Sequence, residues 1–184
     1  PETLDDMEQL LDNGAVFVPY PEFLELQTDN FYFEETYWNS MVNQVDKNAY
    51  IWEKDVFGTT ESHSAWSQPY SKMFYANAVL EALNSIQRTS ANASRYDQIK
   101  GSALFLKAEA VYVLAQLFAK VYDPRTAEDD LGIPIPMSAD VNEKIHRPSI
   151  QYTFDFIINS LIEAEALLSP VVDFSRPSKA AAHA

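Results

Sequence analysis

The sequence predicts an all-α fold in which helices stack side by side and long, irregular, aromatic-rich loops interrupt them. Two observations carry this prediction. Apolar residues recur at helical spacing in several long segments, whereas no segment has a strong strand pattern. In addition, many of the aromatic residues fall outside the periodic segments, between Tyr20 and Trp66. The chain of 184 residues is long enough to bury a core without disulfides, and it contains no cysteine.

The segment from Ser94 to Tyr122 is the most apolar part of the chain and is predicted to be a central helix. Its middle has about the length that spans a bilayer. It contains Lys107, Glu109 and Gln116, however, and each charge at a membrane centre costs roughly 2.5–3.5 kcal/mol. We therefore interpret it as a core helix that lies between neighbouring helices.

Two apolar stripes at alternating spacings of three and four predict two buried faces for this helix. The stripes are Ile99, Ala103, Leu106, Ala110, Val113 and Leu117, and Phe105, Ala108, Tyr112, Ala115, Ala119 and Tyr122. The remaining polar seam is predicted to face water or to form hydrogen bonds, and it consists of Lys100, Lys107, Glu109, Gln116 and Lys120.

Capping signals place the other helices. Thr3 and Asp6 resemble a capping pair for a first helix from about Leu4 to Asp12. Residues 15 to 63 have weak periodicity and are expected to form a long excursion with short helical pieces. A second long helix is predicted from Trp66 to Gln87, with Pro69 in its first turn.

The C-terminal half contains two more predicted helix starts. Residues 123 to 148 are rich in Pro, Asp and Gly and are expected to be irregular, with a short extended run from Leu131 to Met137. Ser149 is a suitable N-cap for the next helix, and its predicted buried stripe is Phe154, Ile157, Leu161, Ala164 and Leu168. Ser178 begins a last helix, and we expect the chain to be a fragment of a longer protein.

Composition argues against several classes of function. The net charge of −14 would repel a phosphate backbone, so nucleic-acid binding is disfavoured. The four glycines stand alone, which excludes a dinucleotide fingerprint or a phosphate loop. No serine has a nucleophile-elbow context, and the three histidines lie in separate segments. No catalytic residue, cofactor or metal site is predicted; Glu128, Asp129 and Asp130 are interpreted as solvated, with a weak calcium site as the alternative.

The aromatic excursion is the strongest functional signal. Flat aromatic faces can stack on the C–H surfaces of sugars while amides and acids bind hydroxyls. We take Tyr32, Tyr37, Trp38 and Asn39 as candidate ligand-binding residues; for Tyr37 and Trp38 a structural role that covers the helical core is an equal alternative. For Trp52 and Trp66 we favour that structural role. Asn77, in the buried stripe of its helix, is predicted to tie down a neighbouring loop.

Several motifs in order resemble the N-terminal half of the SusD/RagB family of outer-membrane nutrient-binding lipoproteins. They are the helix pattern of Trp66, Tyr70, Met73, Ala76, Asn77, Leu80 and Leu83; the helix run Gly101-SALFLKAEA-Ala110; the turn Gly132-Ile133-Pro134; the helix pattern Arg147, Ser149, Leu161, Ala164 and Leu168; and the helix start Arg176-PSKAA-Ala181. Ser102 and Lys107 replace the Glu and Arg usual in the family.

The resemblance implies that residues 1–184 form one N-terminal SusD-like domain of tetratricopeptide-like helical hairpins. It implies a surface-exposed outer-membrane lipoprotein that binds a nutrient, usually a glycan, without catalysis and delivers it to a SusC-like TonB-dependent transporter. A lipid anchor on an N-terminal Cys after a signal peptide is also implied. A peptide ligand or a pure protein-interaction scaffold is the alternative.

Overall fold

The computed structural model describes residues 1–14, 22–58, 63–170 and 176–184, and it confirms the predicted all-α class. Contacts divide the chain into two compact units, each described by itself below. Unit 1 comprises Pro1–Val18 and Gln68–Ala184, and unit 2 comprises Pro19–Ser67.

The described residues form seven α-helices and one 3-10 helix. These are α1 Leu4–Leu11, the 3-10 helix Glu22–Gln27, α2 Glu35–Ser40, α3 Gln44–Tyr50, α4 Ser64–Leu83, α5 Ala93–Phe118, α6 Ile150–Leu167 and α7 Lys179–His183. Within the described ranges the only β pairing is a single bridge between Leu131 and Ser149.

The predicted N-caps are present. Thr3 accepts a hydrogen bond from the Asp6 amide, and the Asp6 carboxylate accepts one from the Thr3 amide, which completes a capping box. Ser149 and Ser178 cap α6 and α7 by accepting from the amides of Tyr152 and Ala181. Sequence therefore located these three helix starts correctly.

Helix α5 is the centre of unit 1 and is packed on more than one side, as predicted. The N-terminal half of α5 joins α1 and α4 in a cluster of Met7, Leu11, Ala76, Val79, Leu83, Ile99, Ala103 and Leu106. The C-terminal half joins α4, α6 and the loop before α6 in a cluster of Met73, Ala110, Val111, Leu114, Ala115, Ile133, Ile135 and Ile157. The consecutive residues Leu106, Lys107 and Ala108 are all buried, so α5 is covered on more than one side. Of the described helices, α5 alone is long and apolar enough to cross a membrane, and 56% of that apolar window is buried inside the protein.

The C-terminal end of α5 and its second buried stripe differ from the prediction. The helix ends at Phe118 rather than near Tyr122. The following loop folds back onto α6, where the carbonyl of the buried Ala127 accepts a hydrogen bond from the Gln151 amide at 2.9 Å. In the second stripe Tyr112 is 44% exposed, while Val111 and Leu114 are fully buried in its place.

Helix α4 also begins earlier than predicted. It starts at Ser64, so Pro69 lies inside the helix rather than in its first turn. Proline has no amide hydrogen and therefore cannot donate to the carbonyl one turn before it. The buried side of α4 was predicted more accurately, because Met73, Ala76, Asn77 and Leu83 are all at most 1% exposed.

Residues 131–143 form an irregular segment, which we call the strap, that hydrogen bonds tie to α4. Tyr70 donates its hydroxyl to the Pro134 carbonyl at 3.0 Å. Asn77 donates its amide to the carbonyls of Pro136 and Ser138 at 3.1 and 2.8 Å. The predicted loop-binding role of Asn77 is therefore confirmed.

Gly132 fixes the start of the strap against α6. Its amide donates to the Pro148 carbonyl at 2.7 Å, and its carbonyl accepts from Arg147 Nε at 2.7 Å. A Cβ atom at this position would lie 2.0 Å from Thr153 Oγ1 and 2.7 Å from the Ser149 carbonyl oxygen. No residue with a Cβ atom fits at the glycine of the Gly-x-Pro motif without a shift of its neighbours.

The Gly132→Ala variant is expected to lower the free energy of unfolding by about 1–3 kcal/mol, because the added methyl group overpacks a backbone contact. Chemical denaturation measures this change. Gly14→Ala is the matched control, since a Cβ there meets no atom within 4 Å. Equal losses in the two variants would contradict the close packing at Gly132.

Lys107, which was predicted to lie in a seam that faces water or forms hydrogen bonds, is buried. Its side chain is 4% exposed, its Nζ lies 3.7 Å from Met137 Sδ, and the same nitrogen lies 5.3 Å from the centre of the Phe156 ring. Burial lowers the pKa of Lys107 to about 8, and the nearby charges of Glu143 and Glu81 counteract only part of that effect. The strap covers Lys107, although helical periodicity alone would place this residue on the surface of α5.

This burial predicts that the protein becomes more stable as pH rises from about 8 toward 10. In that range the unfolded Lys107 holds a proton that the folded one has lost, so unfolding becomes less favourable with rising pH. The gain amounts to about 2–3 kcal/mol, taking 1.36 kcal/mol per pKa unit. Burial raises the pKa of Tyr70 to about 12, which begins to oppose the gain above pH 10.

Denaturant titrations of the wild type and of Lys107→Met at a series of pH values between 7 and 10 measure this effect. The variant removes the titrating amine while keeping an unbranched side chain of similar length. An equal pH dependence in both proteins would show that Lys107 is not the titrating group.

Candidate functional site

Unit 2 contains a packed cluster of aromatic rings at the predicted ligand-binding segment. The Phe33 ring lies at its centre, 5.2 Å from Phe31 in an edge arrangement and 4.9 Å from both Tyr37 and Tyr50. Tyr50 also accepts a hydrogen bond on its hydroxyl from the Phe33 amide at 2.8 Å. Rings in such contact gain stability beyond their buried area, so the cluster forms a firm base.

Two tyrosines leave this base with large exposed surfaces. Residues 31–34 have no helical structure, and the side chains of Phe31 and Phe33 meet while Tyr32 between them is 77% exposed. Tyr37 touches Phe33 and is nevertheless 55% exposed. Part of its surface therefore packs in the cluster while the rest faces solvent.

Trp38 and Asn39 lie in a different environment from the two tyrosines. Lys47 Nζ is 4.9 Å from the centre of the Trp38 ring and donates to the Asn39 carbonyl at 3.3 Å. Trp38 is half-buried, and its indole nitrogen is buried with no hydrogen-bond partner among the described residues. The Asn39 side chain is on the exposed surface.

The four candidate residues therefore do not form one continuous face. Tyr37, Trp38 and Asn39 are consecutive in α2, and consecutive residues of a helix point in different directions. Tyr37 contacts Phe33 on one side, whereas Trp38 is covered by Lys47 on another. The arrangement offers exposed tyrosine faces next to an exposed amide rather than an enclosed pocket.

The family model described as "Starch-binding associating with outer membrane" matches residues 1–184, which is the whole chain. The chain belongs to the SusD-like family. A comparison with curated protein sequences gives no match.

Solved structures of SusD-like proteins share the fold. A SusD superfamily protein from Bacteroides vulgatus superposes with a TM-score of 0.73 at 21% identity, over 99% of this chain and 41% of that one. For a SusD superfamily protein from Bacteroides thetaiotaomicron the TM-score is 0.71 at 15% identity, over 98% and 40%. A laminarin-binding SusD-like protein gives 0.65 at 16% identity, over 97% and 38%. This SusD-like chain thus spans about two fifths of the length of these relatives.

The SusD-like chain has no described metal site. No group of three or more His, Cys, Asp or Glu side chains in residues 1–14, 22–58, 63–170 and 176–184 is placed to hold an ion. Within the acidic loop, Asp130 instead accepts hydrogen bonds from Lys120 and Thr126. The calcium alternative at Glu128, Asp129 and Asp130 gains no support.

Trp52 is an exposed aromatic residue that the sequence analysis assigned to covering the core, and that assignment is wrong. Its side chain is 68% exposed, and its φ of 56° is in the left-handed region. It directly follows Ile51, the C-cap of α3. Glycine is the usual residue at the position after the C-cap, and it is what marks a helix end in a sequence. A tryptophan at this position gives no such mark. Trp66, the other tryptophan assigned to the core, is 39% exposed.

The hydrogen bond between Tyr50 and Phe33 can be tested by removing one oxygen atom. Tyr50→Phe is expected to reduce the local stability of unit 2 by about 0.5–1.5 kcal/mol, because the Phe33 amide loses its partner. Hydrogen exchange of the Phe33 amide should accelerate accordingly, by about fivefold for 1 kcal/mol. Tyr32→Phe removes a hydroxyl from a 77% exposed ring and should leave that exchange rate unchanged.

Proposed function

We propose that this SusD-like protein is a surface-exposed lipoprotein of the outer membrane that binds an oligosaccharide and delivers it to a SusC-like TonB-dependent transporter. The ligand-binding residues in this proposal are Tyr32, Tyr37, Trp38 and Asn39. The protein acts as a receptor in this scheme and does not change its ligand.

The observation that carries the proposal is the pair of exposed tyrosine faces next to a packed aromatic cluster. Tyr32 and Tyr37 are 77% and 55% exposed, although large aromatic side chains are usually buried. The Phe33 ring supports Tyr37 from behind at 4.9 Å, so its ring is held in place before a ligand arrives. A held aromatic face loses little conformational entropy on binding, which favours stacking on a sugar ring.

The polar groups around these rings suit a ligand with many hydroxyl groups. Asn39 presents an exposed amide that can donate and accept hydrogen bonds. Glu34 and Glu35 are exposed at the start of α2, and their carboxylates accept hydrogen bonds from hydroxyls. The net charge of −14 disfavours a strongly anionic polysaccharide.

The relatives support the choice of a sugar over other ligands. The family description names starch binding and association with the outer membrane. One structurally similar protein is described as laminarin-binding. Starch and laminarin are both neutral glucans, so they are suitable first probes for this chain.

Protein docking is the second candidate function, and the outer surface of α6 favours it. Ile158 and Ile162, one turn apart on this helix, are 53% and 59% exposed, and Tyr152 is 51% exposed. Such apolar surface is typical of a docking face. Co-purification with a large β-barrel protein without any retention by glycans would favour this alternative.

Affinity electrophoresis of the intact protein in gels containing laminarin or amylopectin tests the sugar-binding proposal. The wild type is expected to be retarded. Tyr32→Ala and Tyr37→Ala should each weaken binding by about tenfold, because losing a stacked ring costs about 1 kcal/mol or more. Trp38→Ala tests the third aromatic candidate in the same gels.

Val42→Ala is the matched control, because Val42 is in the same unit and is 98% exposed but has no aromatic face. Thermal unfolding of each variant shows whether Tyr37→Ala also loosens the cluster. Unchanged retardation of all three aromatic variants would remove the assignment of this segment, and no retardation of the wild type in a broad glycan panel would remove the sugar-binding function.

A further inference from the structure

The backbone at Trp52 has the conformation that usually selects glycine. Helix α3 ends with two paired hydrogen bonds, from the Glu53 amide to the Asn48 carbonyl at 2.9 Å and from the Trp52 amide to the Ala49 carbonyl at 3.1 Å. This pair defines a Schellman motif, in which the residue after the C-cap is left-handed. Trp52 has this conformation, with φ 56°, and a side chain there is sterically unfavourable.

Packing does not explain why a tryptophan occupies this position. The Trp52 side chain is 68% exposed, and none of the described aromatic rings lies against it. Ile51 beside it is 51% exposed. A large apolar side chain in a strained backbone conformation, without burial to compensate, is a common feature of functional sites.

The loop after Trp52 is held by one side chain of the same helix. Asn48 donates its amide to the carbonyls of Asp55 and Val56, at 3.4 and 3.2 Å, and its Oδ1 accepts from Gln44 Nε2 at 2.7 Å. The Asp55 carboxylate in turn accepts from the Gly58 amide at 3.0 Å. The backbone on both sides of Trp52 is therefore fixed, which sets the direction of its Cα–Cβ bond.

We propose that Trp52 is a ligand-contact residue, whose exposed indole face stacks on a sugar ring of the bound glycan. This inference rests on the proposed function and adds a contact outside the four residues named above. Tryptophan suits the role because it offers a wide flat apolar surface with only two side-chain torsions to restrict. The neighbouring Glu53 and Asp55 are exposed and supply carboxylates for sugar hydroxyls.

Two substitutions of Trp52 separate a binding role from a structural one. Trp52→Ala and Trp52→Gly both remove the indole, and both are expected to weaken binding to laminarin or amylopectin by about tenfold. Trp52→Gly also relieves the left-handed strain, so its thermal midpoint should equal or exceed that of the wild type. A residue kept for stability would show the opposite, a lower midpoint with unchanged affinity.

Ile51→Ala is the matched control, because it removes exposed apolar surface from the adjacent residue without removing an aromatic face. Its retardation in the gels should match the wild type. Wild-type affinity in both Trp52 variants, with the wild type itself retarded, would overturn this inference and leave the proposed function standing. Absence of retardation of the wild type would overturn both, so the two failures are distinguishable.

Discussion

The burial of α5 on more than one side is the constraint on which the rest of unit 1 depends. Met7 and Leu11 of α1 and three buried residues of α4 pack against its N-terminal half, while Ile157 of α6 packs against its C-terminal half. Because side chains in a core interdigitate at near-crystalline density, the helices that cover α5 can pack against it in only a few arrangements. The strap 131–143 then closes a remaining gap by placing Ile133 and Ile135 in the same cluster as Ile157. Gly132 allows the strap to lie close to the start of α6, since Thr153 and Ser149 already occupy the space that a Cβ atom would need.

Helical periodicity predicted the helices of unit 1 well because their burial is repetitive. Ile99, Ala103, Leu106 and Ala110 recur at spacings of three and four, and all four are at most 2% exposed. The failures occurred where a non-periodic segment decides burial. Lys107 looks like a surface residue on a helical wheel, yet the strap covers it, and no local pattern in residues 131–143 indicates which helix face they will meet. The predicted end of α5 was wrong for the same reason. The loop that follows the helix is placed by its contact with α6, where the Ala127 carbonyl accepts from the Gln151 amide.

The candidate site was predictable in composition but not in geometry. A run of aromatic residues among amides and acids identified the segment, and Tyr32 and Tyr37 do present exposed rings. Sequence did not indicate that Phe33 and Tyr50 form the base under Tyr37, because Tyr50 is seventeen residues away from Phe33 and their contact depends on the fold. The exposure of Trp52 was not predicted, for a different reason. An apolar residue close to a helix is normally buried, and the left-handed conformation that exposes Trp52 is one that sequence rules assign to glycine or asparagine.

Different side chains of unit 2 stabilise it and form its exposed apolar surface, which explains how so small a segment can expose large apolar side chains. Short helices have few internal hydrogen bonds, so α2 and α3 depend on side-chain contacts for their stability. Asn43 caps α3 by accepting from the amides of Val45 and Asp46, which the start of a helix leaves without partners. Asn48 and Tyr50 bind backbone groups of the flanking segments, at Val56 and Phe33. Because amides and packed rings supply the stability, the exposed faces of Tyr32, Tyr37 and Trp52 are not needed to hold the unit together. The Tyr37 ring is also held by Phe33, so a ligand can cover its exposed face at low entropic cost.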